Sequence, residues 1–184
     1  MQYYKKIDID YYDDIVNDTL KYLKEQKPDI YNKTIEATFY VLDLNEFKQH
    51  CPKLDLGFAR YDLICNYAVA FVMHKTSDVK IHIDNYKNKS VNARINIPII
   101  NTQNTFTRFF TGGEFTKITN PLTNITALRL TGPKDLQFVD KVEIDQPTVI
   151  RVNEPHDIVK LNKEIPRITL TLGFDKDPVF LLED

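Results

Sequence analysis

The sequence predicts a mainly β protein, a double-sheet jelly roll with one helix outside it. Three observations carry this. Beyond residue 60, short runs recur that are either continuously apolar or alternate apolar and polar with the period of a strand. Turn-forming pairs punctuate them: Gly112-Gly113, Asn120-Pro121, Gly132-Pro133, Gln146-Pro147, Glu154-Pro155 and Ile165-Pro166. The composition agrees, with ten Tyr and eleven Phe against five Gly, a bias toward residues that suit a pleated surface.

Taken in order, residues 10–26 carry Tyr11, Ile15, Leu20 and Leu23 at helical spacing, with Asp13 and Asp14 early and Lys21 and Lys24 late, as the helix dipole favours. Lys27-Pro28-Asp29 ends this helix, which is expected to pack outside a sheet. Residues 34–42 read as a strand, and residues 43–50 as a short helix capped by Asp43 or Asn45. The run LICNYAVAFVMH, residues 63–74, is a buried strand, too short and interrupted to cross a membrane. Val79 to Asp84 is the next strand, and Asn85 to Ser90 a polar turn. In Ala93 to Ile99 the isoleucines share one face, Arg94 and Asn96 the other, and Pro98 suggests a sheet edge or a bulge. Further strands follow at Thr105 to Thr111, Thr126 to Leu130, Phe138 to Ile144, Thr148 to Val152, His156 to Leu161 and Arg167 to Phe174.

At 184 residues the chain is long enough for one domain with a real core. The expected organisation is a single domain, 1–184, in which residues 1–60 flank a β core at 61–175. A formal net charge of -2 gives no global argument for binding nucleic acid or an anionic membrane. No apolar window is long enough to span a bilayer, and no signal-peptide core follows Met1. Cys51 and Cys65 are too few and wrongly spaced for a zinc ribbon or a disulfide framework. Reduced thiols in a cytoplasmic compartment, the host's if the protein is viral, are the expectation. No Ser-His-Asp order, Walker loop or GxGxxG pattern supports other enzyme classes.

The chemistry lies in Lys80-Ile81-His82-Ile83-Asp84-Asn85. Alternation puts His82 and Asp84 on one face of a strand. A divalent ion held by both needs at least one more ligand, and His156 is the candidate. Two histidines and one carboxylate form a facial triad that leaves coordination positions open for ligands and oxygen, the arrangement of non-haem iron(II) oxygenases. Asp157 alternates to the opposite face from His156. His74 lacks a carboxylate two residues away, and it and His50 are taken as structural or exposed. Arg167 heads the last long strand, where it either binds a carboxylate or pairs with Glu164 or Asp157. Thr169, two residues on, shares its face. Arg94, Asn96 and Tyr67 form a second tier that either points into the barrel or packs elsewhere, and Asn66 is a similar case.

The pattern His82-x-Asp84, His156, Arg167-x-Thr169 resembles the iron(II)- and 2-oxoglutarate-dependent oxygenases. The segment from Ile81 through RINIPI to RITLTLGF also looks like phage and bacterial members related to aspartyl/asparaginyl β-hydroxylases. The resemblance covers roughly residues 60–175 and implies a double-stranded β-helix, a form of jelly roll. It implies Fe(II) on His82, Asp84 and His156, and 2-oxoglutarate with its distal carboxylate on Arg167 and Thr169. Arg167 lies eleven positions after His156, close to the interval of about ten that the family shows. The implied reaction consumes O2, decarboxylates 2-oxoglutarate to succinate and carbon dioxide, and hydroxylates a substrate. Related halogenases lack the carboxylate ligand; with Asp84 present, hydroxylation is the expected outcome.

Two other readings stay open: a non-catalytic jelly-roll binding or structural module of viral type, and a cupin-like metalloenzyme that does not use 2-oxoglutarate. The substrate is not legible. A protein side chain, an amino acid or a small metabolite all fit, and the near-neutral charge disfavours a nucleobase. Specificity is expected in residues 43–62, 85–90 and 112–126. Oligomeric state is open.

Overall fold

The computed structural model describes residues 1–31, 38–74, 79–86, 89–119, 126–161 and 166–183. The elements run β1 (Tyr4–Lys6), α1 (Tyr12–Gln26), β2 (Thr38–Val41), α2 (Leu44–His50), α3 (Leu54–Gly57), β3 (Cys65–Met73), β4 (Val79–Tyr86) and β5 (Lys89–Ser90). Then come β6 (Ala93–Ile100), β7 (Thr105–Thr111), β8 (Glu114–Thr119), β9 (Thr126–Gly132), β10 (Gln137–Glu143), β11 (Thr148–Arg151), β12 (His156–Lys160) and β13 (Arg167–Phe174), before a short helical turn at Pro178–Leu182.

The strands form two antiparallel sheets. One has six strands in the order β1-β11-β6-β13-β3-β2, the other the order β10-β7-β12-β4-β9-β8, with β5 hairpinned onto β4. Neighbours in space are distant in sequence, as a jelly roll requires. The mainly β fold with a flanking amino-terminal helix is as expected.

Alternation sorts the six-stranded sheet into two unlike faces. On β13, Ile168, Leu170 and Leu172 point outward and join Ala68, Ala70 and Val72 of β3 and Ile95, Ile97 and Ile99 of β6. Against them pack Ile15, Tyr22 and Leu23 of α1, Phe47 of α2 and Leu54 of α3, in one continuous apolar core. The helix forms where the apolar spacing predicts, with Asp13 and Asp14 in its first turn and Lys24 in its last. Asp43 caps α2, accepting from the backbone N–H groups of Asn45 and Glu46 at 3.0 Å. Gly57 marks where α1 meets α3: a Cβ there would lie 2.6 Å from Ile15 Cδ1 and 2.9 Å from the carbonyl oxygen of Asp10.

The inner face, between the sheets, is of a different kind. It carries Arg167, Thr169 and Thr171 of β13 beside Asn96 of β6, in the register Asn96 to Thr171. The seven-stranded sheet answers with His156, Ile158 and Lys160 of β12, paired in register with Phe109, Thr107 and Thr105 of β7. Phe71 and Met73 from one sheet meet Ile158 and Val79 from the other in a small cluster that closes the space between them.

Several local expectations change. Of the two alternatives for Pro98, the bulge holds and the sheet edge does not: β6 lies between β11 and β13, and the register shift opposite, between Ile168 and Thr169, accommodates a residue with no N–H to donate. Of the polar turn expected at Asn85 to Ser90, Asn85 and Tyr86 belong to β4 and pair with Ser90 and Lys89 of β5, and residues 87–88 lie outside the described residues. β1 and β8 were not anticipated; both are short, and β8 is mostly exposed, so neither leaves a strong apolar signature. Residues 34–37 of the expected strand at 34–42 lie outside the described residues. Within residues 43–62, Phe47, Leu54 and Phe58 belong to the apolar core outside the barrel.

Candidate metal centre and its anion cradle

His82 and His156 sit opposite each other in the β4–β12 ladder, just before a register shift between His156 and Ile158, so both rings are delivered to the same inward face. Their ring centroids are 4.3 Å apart. Asp84 joins them two residues along β4, and its Oδ1 is 3.4 Å from His82 Nε2. One donor atom from each of the three residues can be chosen so that all lie within 4.8 Å of one another. The site's three ligand candidates are therefore brought together from two strands far apart in the chain.

Backbone carbonyls orient both imidazoles. His82 Nδ1 lies 2.9 Å from the carbonyl oxygen of Lys80, and His156 Nδ1 lies 2.9 Å from that of Glu154. A carbonyl can only accept, so Nδ1 carries the proton and Nε2 presents its lone pair to the centre. The backbone N–H of Asp84 donates to the carbonyl oxygen of Val152 at 2.9 Å, tying β4 to the end of β11 across the two sheets. Val152 in turn donates to the carbonyl of Asn92 at 2.9 Å. Asn92 is pinned by Asp177, which accepts from its backbone N–H at 2.9 Å and its side-chain amide at 3.0 Å. A carboxylate at the carboxyl end of the chain thus braces the metal-ligand strand.

The electrostatics of the three groups fit a cation. Burial, and then the charge of His82, press the His156 imidazole down to about 4, so it is neutral at physiological pH. Burial pulls His82 the same way, but the hydrogen bond and charge of Asp84 outweigh it and the net direction is upward. Burial alone would raise the Asp84 carboxyl; contact with His82 and the charges of His156 and Arg94 reverse that, and it stays ionised. Two neutral-capable nitrogens and one anionic oxygen at this spacing are the donor set that suits a divalent transition metal.

Deeper in the barrel Arg167 is 1% exposed. Its guanidinium lies 3.8 Å from Met73 Sδ and 5.9 Å from the Phe71 ring centre, and its Nε has no hydrogen-bond partner among the described residues. Burial pushes it down to about 10, still charged at neutral pH. Asp157, one of its two alternative partners, instead faces the outside of β12 and binds Arg108 through both oxygens at 2.9 and 2.5 Å. Glu164, the other, lies outside the described residues. Thr169 is also 1% exposed, as are Thr105 and Thr107 across the barrel; among the described residues the hydroxyls of all three, and the buried Asn96 Oδ1, have no hydrogen-bond partner. A buried cation and buried hydroxyls without partners among the described residues, contributed by both sheets, are costly unless a ligand satisfies them. They fit the anionic tail of a small dicarboxylate, which a guanidinium fork grips bidentately.

The second tier also turns inward. The Arg94 guanidinium lies 5.0 Å from the Tyr67 ring centre, and a Cβ at Gly173 would lie 2.0 Å from its Nη1. Only glycine at 173 leaves room for it. His74 is buried at the end of β3. His50 bonds its own helix through the carbonyl of Glu46 and packs on Tyr22. Neither joins the cluster.

Sequence reasoning missed the amino-terminal contribution. Tyr3 and Tyr4 pack on Phe109 at centroid distances of 5.2 and 6.1 Å, and Phe109 lies 6.4 Å from the His156 ring. Beside them a cavity of about 490 Å³ is lined by Met1, Gln2, Tyr3, Tyr4 and Asp140. It also missed Lys160, whose only signal was its even offset from His156 on the same strand, and Thr105 and Thr107, which share a face of β7 and pair with β12. Among the described residues no helix is long and apolar enough to cross a membrane.

No protein-family model matches the chain, and no curated protein matches its sequence. The fold, however, has solved counterparts. The chain is similar to a prolyl-4-hydroxylase from Pseudomonas putida, at a TM-score of 0.55 and 10% identity, over 95% of this chain and 92% of that one. It is similar to HygX from Streptomyces hygroscopicus with nickel and 2-oxoglutarate bound, at a TM-score of 0.54 and 11% identity, over 94% of this chain and 82% of that one. The iron-bound form of HygX gives a TM-score of 0.53 and 12% identity over the same shares. What these likenesses establish is the fold: the chain is a jelly roll of the kind found in a prolyl-4-hydroxylase and in a protein solved with metal and 2-oxoglutarate.

Proposed function

We propose that the chain is an Fe(II)- and 2-oxoglutarate-dependent dioxygenase that hydroxylates its substrate. The observation that carries this is a pairing within one barrel. A His-Asp-His cluster with both imidazoles oriented through Nδ1 shares its lumen with a buried guanidinium and hydroxyl that lack an anionic partner among the described residues. A metal site alone would suit many chemistries. An anion cradle in the same lumen selects those that bind a bifunctional acid.

In this reading His82, Asp84 and His156 hold the ion, with Nε2 of each imidazole and a carboxylate oxygen as donors. Arg167 and Thr169 hold the distal carboxylate of 2-oxoglutarate and so fix how far its 2-oxo acid end reaches. Bound iron and 2-oxoglutarate would supply oxidative decarboxylation with O2, yielding succinate and carbon dioxide. The chain's part is to orient the donors, keep water from the lumen with Phe71, Met73 and Ile158, and shield the ligand carboxylate from protonation. Arg94, Asn96 and Tyr67 would line the side from which a substrate approaches. That substrate is a protein side chain, an amino acid or a small metabolite, and the protein acts in the cytoplasm. The narrower relation to aspartyl/asparaginyl β-hydroxylases, and a phage origin, rest on the motif alone.

Anaerobic titration with Fe(II) and then 2-oxoglutarate tests the proposal. The expected result is one ion per chain and a weak visible charge-transfer band that needs both additions. Metal binding without that band would mean a metalloprotein that does not chelate 2-oxoglutarate. No metal binding would end the enzyme reading.

A further inference from the structure

The sheet face that carries the metal cluster continues past it. In register across the strands, Phe109 of β7, His156 of β12, His82 of β4, Arg129 of β9 and Thr116 of β8 stand in one row. Two residues along β4, Asp84 is followed by Ala127 of β9 and Ile118 of β8. Directly opposite residues of an antiparallel pair share a face, with Cβ atoms about 5 Å apart. Arg129 therefore rises beside His82 on the metal's side of the sheet. The two ends of the row differ in access. Phe109 is 0% exposed, packed against Ile150 and Val152 of the other sheet, and His156 is 3% exposed. Toward β8 the Asp84 side chain is 39% exposed, Ile118 is 40% exposed, and Arg129 is exposed. The cluster thus stands at the border between a closed half and an accessible shelf made by β9 and β8.

The hydroxyls of the shelf are used within it. Thr116 Oγ1 lies 3.4 Å from Thr131 Oγ1, which donates to the carbonyl oxygen of Glu114 at 3.2 Å. Arg129 has neither an ion pair nor a hydrogen bond among the described residues. Arg108, on the opposite face of the same sheet, is held by both oxygens of Asp157.

We propose that this shelf recognises the substrate and selects an anion: Arg129 receives a carboxylate or phosphate, while Ala127 and Ile118 support the carbon chain between that group and the metal. This rests on His82, Asp84 and His156 being the metal ligands, and it narrows the substrate of the dioxygenase reading to an acid. A guanidinium fork matches either anion with two parallel N–H···O bonds. A charge held one strand away from the metal fixes the position of the reacting carbon without occupying the metal's own open positions.

The probes are N-acetylglutamate amide, its neutral isostere N-acetylglutamine amide, and N-acetylphosphoserine amide. They are titrated by NMR into the zinc-loaded full chain in the presence of excess 2-oxoglutarate. The wild type is expected to bind at least one acid about 10-fold more tightly than the neutral amide, and the tighter acid identifies the group. Arg129→Gln should remove that preference while leaving the affinity for the neutral amide, for zinc and for 2-oxoglutarate unchanged. It should melt with the wild type, because the residue is exposed. Arg129→Lys keeps the charge without the fork and retains part of the preference, which added salt shrinks. Equal affinity for acids and amide in the wild type would overturn the anion site, as would a preference that survives Arg129→Gln. A preference lost in Arg167→Met and kept in Arg129→Gln would assign the acid to the lumen instead. An Arg129-dependent preference in a chain that binds no 2-oxoglutarate would keep the anion site and end the dioxygenase reading; 2-oxoglutarate binding without the preference would do the reverse.

Discussion

The two faces of the six-stranded sheet are built from the same strands and do opposite jobs. Along β13 the outward residues Ile168, Leu170 and Leu172 are fully buried among apolar partners. The alternate residues Arg167, Thr169 and Thr171 face the lumen, where Arg167 Nε and Thr169 Oγ1 are buried without hydrogen-bond partners among the described residues. One residue of displacement along a strand therefore separates a surface that stabilises the fold from one that costs it stability. The outer face holds the molecule together and frees the inner face to carry groups that are satisfied only by ligands.

Breaking the outer face should produce the largest effect. Leu170→Ala is expected to cost about 3–5 kcal/mol of folding stability through lost burial and a residual cavity. Denaturant titration measures this, and the fraction still folded should bind metal normally. Breaking the inner face should do the reverse. His156→Ala should lower metal affinity by more than the roughly 10- to 100-fold that loss of a supporting group costs, with little change in the melting temperature of the metal-free protein. Arg167→Met should weaken 2-oxoglutarate by about 100-fold, leave metal affinity intact and hold or raise thermal stability. Equal loss of metal and 2-oxoglutarate binding would mean that Arg167 supports the fold rather than the ligand.

A smaller effect concerns pH. His82 lies above its ordinary value and His156 at about 4. On acidification His82 therefore protonates first, and His156 stays neutral until well below pH 6. Metal affinity should fall as pH drops through the raised His82 value, with one proton taken up per ion released; a histidine NMR titration beside metal-binding isotherms checks both. For His156 alone, the unfolded chain takes a proton near pH 6.5 while the folded chain does not. Its contribution to stability is thus present above that pH and is lost as pH falls toward 4. The smallest expected effect is on the thiols. Burial pushes Cys51 up to about 12 and Cys65 to about 11, so neither should react with an alkylating reagent at pH 8 until the outer core is unfolded.

Much of this was legible from residue order. α1 showed in its apolar spacing, α2 in Asp43, and the strands in alternation and turn pairs. His82 and Asp84 on one face follow from the period of a strand, and Arg167 with Thr169 from the same rule. The extension of β4 to Tyr86 with β5 paired beside it, and the existence of β1 and β8, did not follow, because each depends on which strand lies alongside. Lys160 was passed over for a similar reason. A lysine at the end of a strand reads as solvent-exposed until a second sheet is known to cover it.

By itself the sequence determined which side chains share a face, since alternation is a property of the extended backbone and needs no partner. It also determined the chemical character of each face. Only the tertiary structure decided that the polar faces of two sheets are turned toward each other, and that His156 pairs in register with His82, 74 positions earlier. It alone placed Arg167 and Lys160 in one enclosed lumen. The reason is physical: the burial of the outer apolar face against α1, α2 and α3 fixes the sheet's orientation, and that choice closes the polar residues inside, whatever their own preference for water.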